Sequence, residues 1–331
     1  MASRKDVARE AGVSAASVSY YINHNGYVSE EAGKRIQAAI EKLNYSPNQI
    51  ARSLKIKDSK QFVFLCNEIR NPFFAQLVYK ATKEAYREDY FILFSNVIND
   101  DNYLRKICSY QVSGLFLSNG RIQEETLQMF VKQRIPTVML QDIRWDNIDE
   151  NISRIEIHNE VIFKEIIAHL QENGYHDSCY ISSSRSEKRG ELDEKTINFM
   201  EAAGSSNKHS IIYNIADARE AFDYIIHTYT KSNCPDSFIC SNDAVAVGVV
   251  KGVLELGLKI PQDVAVIGYD NTFQSQFGVP SITSVDIKTE TLGETVIQML
   301  LDKVRGLSVP DYEIYPKLMI RESSRREKDR L

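Results

Sequence analysis

The sequence predicts an α/β protein: a small all-helical head at the N-terminus, then a body of two doubly wound parallel-sheet subdomains. Three observations carry that expectation. Up to about residue 46 the chain offers amphipathic helices separated by short turns. After Lys60, the apolar runs FVFLC, YFILFSN, GLFLS and PTVML alternate with the amphipathic stretches FAQLVYKATKEAY and EETLQMFVKQ. The rhythm then repeats, with CYISS, SIIYN, FICSN and VAVIGYD set between NEVIFKEIIAHLQENG, EKTINFMEAAG, AREAFDYIIHTYT and DAVAVGVVKGVLELG. Apolar strands alternating with amphipathic helices are the pattern of right-handed βαβ units.

In the head, KDVAREAG places Val7, Ala8 and Ala11 on one stripe and stops at Gly12, after which Ser14 caps a second helix, AASVSYYIN. Two helices joined by a tight GVS turn make a helix-turn-helix. Ser29 caps a third helix, whose Ile36, Ala39, Ile40 and Leu43 have core spacing. Next comes YSPNQIARSLKIK, with Ser46 as N-cap and Pro47 in the first helical position. It holds about two turns, too few to persist alone in water, so this helix needs a partner surface. In the body, ligands of doubly wound sheets bind beyond the carboxyl ends of the strands, and two such sheets side by side leave a cleft there.

The formal net charge is −5. Residues 1–57 carry nine Lys/Arg against five Asp/Glu, a net +4, which leaves −9 on the remainder. A basic head on an acidic body points to a polyanionic partner at one end. No apolar run approaches the ~18 residues of a membrane span, and the opening MASRKDVAREAG lacks the apolar core of a secretion signal, so the expected location is the cytoplasm. The five cysteines show no CxxC spacing, so buried thiols are expected and neither metal nor disulfide. Without a Walker loop, HExxH or GxSxG, and with scattered histidines, the chain offers no catalytic constellation and no cofactor site.

The stretches KDVAREAGVSAASVSYYIN and NYSPNQIARSLK, with SNDAVAVGVV, PQDVAVIGYDNT, PSITSVDI and KLMIRESS, resemble the LacI/GalR family of bacterial transcription regulators. The likeness covers essentially the whole chain, and the head is most similar to the purine repressor branch. It implies a helix-turn-helix domain over 1–46 and a hinge helix and linker over 47–58. It also implies a periplasmic-binding-protein-like body, with an N-terminal effector subdomain of 61–157 plus 287–316 and a C-terminal one of 158–286 plus 317–331.

The partners so implied are a palindromic double-stranded operator, a small effector and a second copy of the chain. The segment closing the chain has no leucine heptad, so a dimer is expected. Ala15, Ala16 and Tyr20 would read bases in the major groove, the small side chains letting the helix press deep against thymine methyls. Lys5, Ser14, Ser17, Ser19, Asn23, Asn25 and Tyr45 would anchor phosphates. Leu54 would wedge into the minor groove, with Arg52, Ser53 and Lys55 near the backbone and Ile50 and Ala51 packing the paired hinges.

In the cleft, Asn242 and Asp270 would hold vicinal hydroxyls and Phe73 and Phe74 would supply a flat apolar wall. Three departures from the family pattern bear on the ligand. Lys195 stands where Arg is usual, with Arg189 six residues before it, and Lys is a point charge without a planar fork. His158 replaces an Asp, and the region of Ile215 and Ala216 lacks the usual aromatic. A sugar or sugar derivative is expected as effector of a repressor of carbohydrate-utilisation genes. The alternatives are a nucleobase co-repressor and a DNA-binding protein whose cleft has lost its ligand.

Overall fold

The computed structural model describes residues 2–23, 25–46, 58–66, 70–96, 101–118, 124–140, 151–184, 192–204 and 208–326. Residues 47–57, which include the predicted hinge residues Ile50, Ala51, Arg52, Ser53, Leu54 and Lys55, lie outside the described residues, as does Arg189. Two compact units divide the chain, Met1–Ser59 and Lys60–Leu331.

The head holds helices α1 (Arg4–Ala11), α2 (Ala15–Asn23) and α3 (Glu30–Lys42). Ser3 and Asp6 form a reciprocal capping box at the start of α1. Gly12 ends α1 in the left-handed region at φ 64°, which lets the chain turn at once toward α2 without a Cβ penalty. Ser14 Oγ then accepts from the Ser17 N–H at 3.0 Å, the N-cap bond of α2. A six-residue core of Val7, Ala8, Ala11, Val18, Ile36 and Ala39 binds the three helices.

The first sheet of the body contains β1 (Gln61–Cys66), β2 (Phe91–Asn96), β3 (Gly114–Ser118), β4 (Thr137–Leu140), β5 (Ile152–Ile157) and β11 (Tyr312–Ile314), in the order β11-β5-β4-β3-β1-β2, all parallel. Helices α4 (Pro72–Arg87), α5 (Asp101–Ser109), α6 (Glu124–Lys132) and α12 (Thr289–Val304) accompany it. The second contains β6 (Asp177–Ile181), β7 (Lys208–Ile212), β8 (Ser237–Cys240), β9 (Ala265–Tyr269), β10 (Thr283–Asp286) and β12 (Lys317–Met319), in the order β12-β10-β9-β8-β6-β7. Only β12 runs antiparallel there. Its helices are α7 (Asn159–Glu172), α8 (Glu194–Ala203), α9 (Ala218–Thr228), α10 (Asp243–Glu255) and the short α11 (Phe273–Phe277).

The central strands β3, β4, β8 and β9 are buried at every position, as expected where helices cover both faces of a parallel sheet. The chain passes between the two sheets three times: from β5 into α7, from β10 into α12 and from β11 into β12. The late return is fastened by Arg154 of β5, whose backbone N–H and Nε donate to the Asp311 carboxylate at 2.7 and 2.8 Å.

All five cysteines are free; burial pushes the Cys66 thiol up to about 12 and Cys179 to about 11, so neither is a thiolate at neutral pH. Among the described residues no helix is long and apolar enough to cross a membrane, and no group of His, Cys, Asp and Glu is arranged to hold a metal ion.

Candidate DNA-reading helix and effector cleft

Helix α2 buries Val18 and turns Ala15, Ala16 and Tyr20 outward; Ala16 and Tyr20 are one turn apart on the same face. Tyr20 is 45% exposed. The predicted phosphate anchors fall into two groups. Lys5 and Asn25 are exposed, and Tyr45 is half-buried against the head core. The polar residues at and around α2 are bonded within the head: Ser14 and Ser17 hydroxyls pair at 2.9 Å, Asn23 Nδ2 donates to Ser19 O at 2.8 Å, and Arg4 Nη1 of α1 donates to Ser19 Oγ.

In the body, Phe73 and Phe74 open helix α4, where Asn71 Oδ1 accepts the Phe73 N–H at 3.0 Å. They lie beyond the carboxyl end of β1, but both are at least nine-tenths buried, with ring centroids 5.0 Å apart, and belong to the main core. The other predicted effector residues gather on the second subdomain, at the carboxyl ends of β8 and β9. Asn242 caps α10 through Oδ1, which accepts from Val245 N–H at 2.9 Å. Lys195, in the first turn of α8, reaches the same corner. Its Nζ donates to Ser241 O at 3.1 Å and sits 3.7 Å from the centroid of the Tyr269 ring.

Tyr269 in turn donates its hydroxyl to Asn159 Oδ1 at 2.5 Å. The path Lys195–Tyr269–Asn159 therefore joins α8, β9 and the start of α7. Asn159 Nδ2 and Ser241 Oγ are buried with no hydrogen-bond partner among the described residues. Two orphaned polar atoms in one corner are costly unless a ligand or water completes them.

Asp270 follows directly after Tyr269, buried, with φ 95°, and Asn271 has φ 50°. Residues other than glycine rarely adopt this region, and surrounding structure must hold them there. Asp243 does so. Its buried carboxylate accepts from Thr272 N–H (2.6 Å), Thr272 Oγ1 (2.9 Å) and Ser284 Oγ (2.6 Å), while Asn271 N–H donates to Ser284 Oγ (3.0 Å). Burial raises the Asp243 pKa above the usual carboxylate range, opposed by those hydrogen bonds. Gly268 is required beside it, because a Cβ there would stand 2.2 Å from Asp243 Oδ1.

His158 lies at the first crossover and stacks on Tyr315 of the third, with ring centroids 4.3 Å apart and 9° between planes; its Nδ1 is 3.1 Å from Glu160 Oε1. It serves the link between subdomains. Ile215 is buried in the second subdomain's core and Ala216 is exposed. Sequence reasoning missed Ser241, Tyr269, Asn159 and Asp243. The run SNDAVAVGVV pointed to the strand end holding Ser241 and Asp243, but nothing in it says that a lysine from another helix completes the corner.

Residues 4–48 match the family described as bacterial regulatory proteins, lacI family, and residues 167–324 match the periplasmic binding protein-like domain. A relative described as the HTH-type transcriptional repressor PurR of Glaesserella parasuis serovar 5 (strain SH0165) is 30% identical, over 98% of this chain and 99% of its own length. The Lac repressor dimer bound to operator and the anti-inducer ONPF superposes with a TM-score of 0.79 at 20% identity, covering 98% of this chain and 99% of that one. The transcriptional regulator CelR in complex with cellobiose gives a TM-score of 0.68 at 20% identity, over 98% and 100%. The two superpositions establish the fold, a helix-turn-helix head joined to a periplasmic-binding-like body of two largely parallel sheets. With its sequence related over nearly the whole chain to a named repressor, this chain belongs to the lacI family of bacterial regulatory proteins: it is a DNA-binding transcriptional repressor with an effector-binding body.

Proposed function

We propose that this repressor acts in the cytoplasm as a homodimer on a palindromic operator, without catalysis or a cofactor, and that an anionic sugar derivative in the cleft sets its operator affinity. Ala15, Ala16 and Tyr20 read bases; Lys5, Asn25 and Tyr45 steady the phosphate backbone, helped by Ser14, Ser17, Ser19 and Asn23. The hinge residues Ile50, Ala51, Arg52, Ser53, Leu54 and Lys55 pair at the operator centre, Leu54 entering the minor groove. Two exposed apolar faces of the body support a second copy as partner. One surrounds a groove of about 350 Å³ lined by Val247, Val250, Leu254, Val279 and Ile282, and the other combines Phe91 and Leu93 of edge strand β2.

The observation that carries the effector reading is the Lys195 ammonium, held on Ser241 O and over the Tyr269 ring, together with the orphaned Ser241 Oγ and Asn159 Nδ2 of the residues it is linked to. An ammonium has three N–H groups and Ser241 O uses one, which leaves donors for a phosphate or carboxylate. Asp270 and Asn242 accept and donate to hydroxyls on the same ligand, with Arg189 and the edges of Phe73 and Phe74 as further contacts. An effector that favours one closure of the cleft shifts operator affinity by its ratio of affinities for the two closures.

The likeness to a repressor named PurR favours a second reading, a nucleobase co-repressor that tightens DNA binding. Calorimetric titration of neutral sugars, sugar phosphates and nucleobases against wild type, Asp270→Ala and Lys195→Ala separates the two. Sugar phosphates should bind wild type and lose about tenfold or more with Lys195→Ala. Binding of nucleobases alone overturns the sugar reading, and neutral sugars that bind equally well with Lys195→Ala overturn its anionic part. Light scattering on the operator complex should give a dimer, and a monomer on one half-site would refute the assembly.

A further inference from the structure

The two adjacent tyrosines of α2 are each seated on a glycine, with different consequences. Tyr21 turns inward: its ring lies against Gly33 of α3, and its hydroxyl donates to Gln37 Oε1 at 3.2 Å. It is part of the packing between two helices. Tyr20 turns outward, and the face of its ring lies on Gly26, in the loop between α2 and α3. A Cβ built on Gly26 would stand 2.6 Å from Tyr20 Cγ, 2.8 Å from Cδ1 and 3.0 Å from Cδ2.

Gly26 is not there for backbone freedom. Its φ lies outside the left-handed region that favours glycine. The three atoms nearest to such a Cβ all belong to the tyrosine ring. The ring has room to yield, since Tyr20 is 45% exposed. A methyl at position 26 is incompatible with this pose of the phenol.

We propose that residue 26 is a specificity determinant acting through Tyr20: glycine at 26 sets the ring pose of Tyr20, and so selects which base edge the phenol meets. The proposal rests on the reading of Tyr20 as a base-contacting residue. Gly26 is a positioning residue here and touches no base. Its influence reaches only the pair that Tyr20 reads, and vanishes when the ring is removed.

The test uses the full-length protein as wild type, Gly26→Ala, Tyr20→Ala and the double variant. Kd is measured at one salt concentration on palindromic duplexes that carry each symmetric base-pair substitution in turn. Tyr20→Ala should flatten the preference at one symmetric pair. Gly26→Ala should change the preference at that same pair by about tenfold, the scale of one mismatched pair, and leave the others unchanged. In the Tyr20→Ala background, Gly26→Ala should alter Kd by less than about twofold, which also verifies that the head remains folded. A profile unchanged by Tyr20→Ala would overturn the base-contact reading and this proposal with it. A profile flattened by Tyr20→Ala but unmoved by Gly26→Ala, or a Gly26→Ala effect that persists without the ring, would overturn the proposal alone.

Discussion

The head closes its core with six buried apolar residues, three of them alanines, whereas the largest cluster of the body runs from Phe62 to Ile314 and includes the fully buried rings of Phe62, Phe64, Phe116, Phe163, Tyr180 and Phe199. A small unit buries a smaller fraction of its surface, so each buried side chain carries a larger share of its stability. The head can therefore be lost by one truncation. The body, with surplus apolar burial, can bear buried polar groups such as Asp243, His169 and Asn159 where the cleft and the subdomain links need them. The two regions differ in how much imperfection each core can carry.

The sharpest way to break that contrast is Ile36→Ala. Ile36 is fully buried in the head, and removing its branched chain costs about 2–5 kcal/mol, comparable with the whole stability of so small a unit. Calorimetry should show the head transition abolished and the body transition unmoved, with operator binding lost. A body transition that falls alongside would mean that the two cores are not independent.

Asp243→Ala is the corresponding cut in the body. It leaves Thr272 N–H, Thr272 O–H and Ser284 O–H without their acceptor, at a cost of about 3 kcal/mol, which the body should survive folded. Titration sharpens the point. Because burial raises the folded pKa of Asp243 above its unfolded value near 3.8, the stabilisation is full below that value and is lost as pH rises through the raised one. The melting difference between wild type and Asp243→Asn should accordingly shrink from near pH 3.8 upward, and a difference flat in pH would contradict the assignment.

His169 should give a smaller effect of opposite sense. Its Nε2 pairs with Ser324 Oγ at 2.8 Å, and Ser324 pairs with Thr283 Oγ1 at 2.6 Å, which fastens the segment after β12 to α7 and β10. Burial lowers its pKa below 6.5, so its contribution is present above pH 6.5 and is lost as pH falls through the lowered value. His169→Gln should remove that acid-side loss, as read by body melting between pH 7 and pH 5. The smallest change is expected for Lys42→Ala. The Lys42–Glu10 pair measures 2.7 Å, but the side chains are 68% and 37% exposed, so head stability should shift by less than about 1 kcal/mol.

The parts of this protein legible in its sequence are those fixed within a turn or two of chain. The Ser14 and Ser29 caps, the stop at Gly12 and the apolar stripe of the head need only residues three or four apart, and the buried strands of both sheets announce themselves as unbroken apolar runs. Strands β5, β10, β11 and β12 did not announce themselves, since they are short or carry polar residues and are defined by partners far along the chain, as Arg154 is by Asp311.

The same division runs through the sites. Sequence pattern singled out Ala15, Ala16, Tyr20, Asn242 and Asp270. Only the folded chain decides that Phe73 and Phe74 are spent mostly on the core, that Lys195 rests on Tyr269 beside Ser241 and Asn159, and that Gly26 lies under Tyr20. Capping and periodicity are local interactions whose partners are adjacent in sequence. A cleft corner is closed by helices and strands that loop-forming entropy keeps apart until the sheets themselves have formed, and its chemistry belongs to the packing rather than to any one stretch of residues.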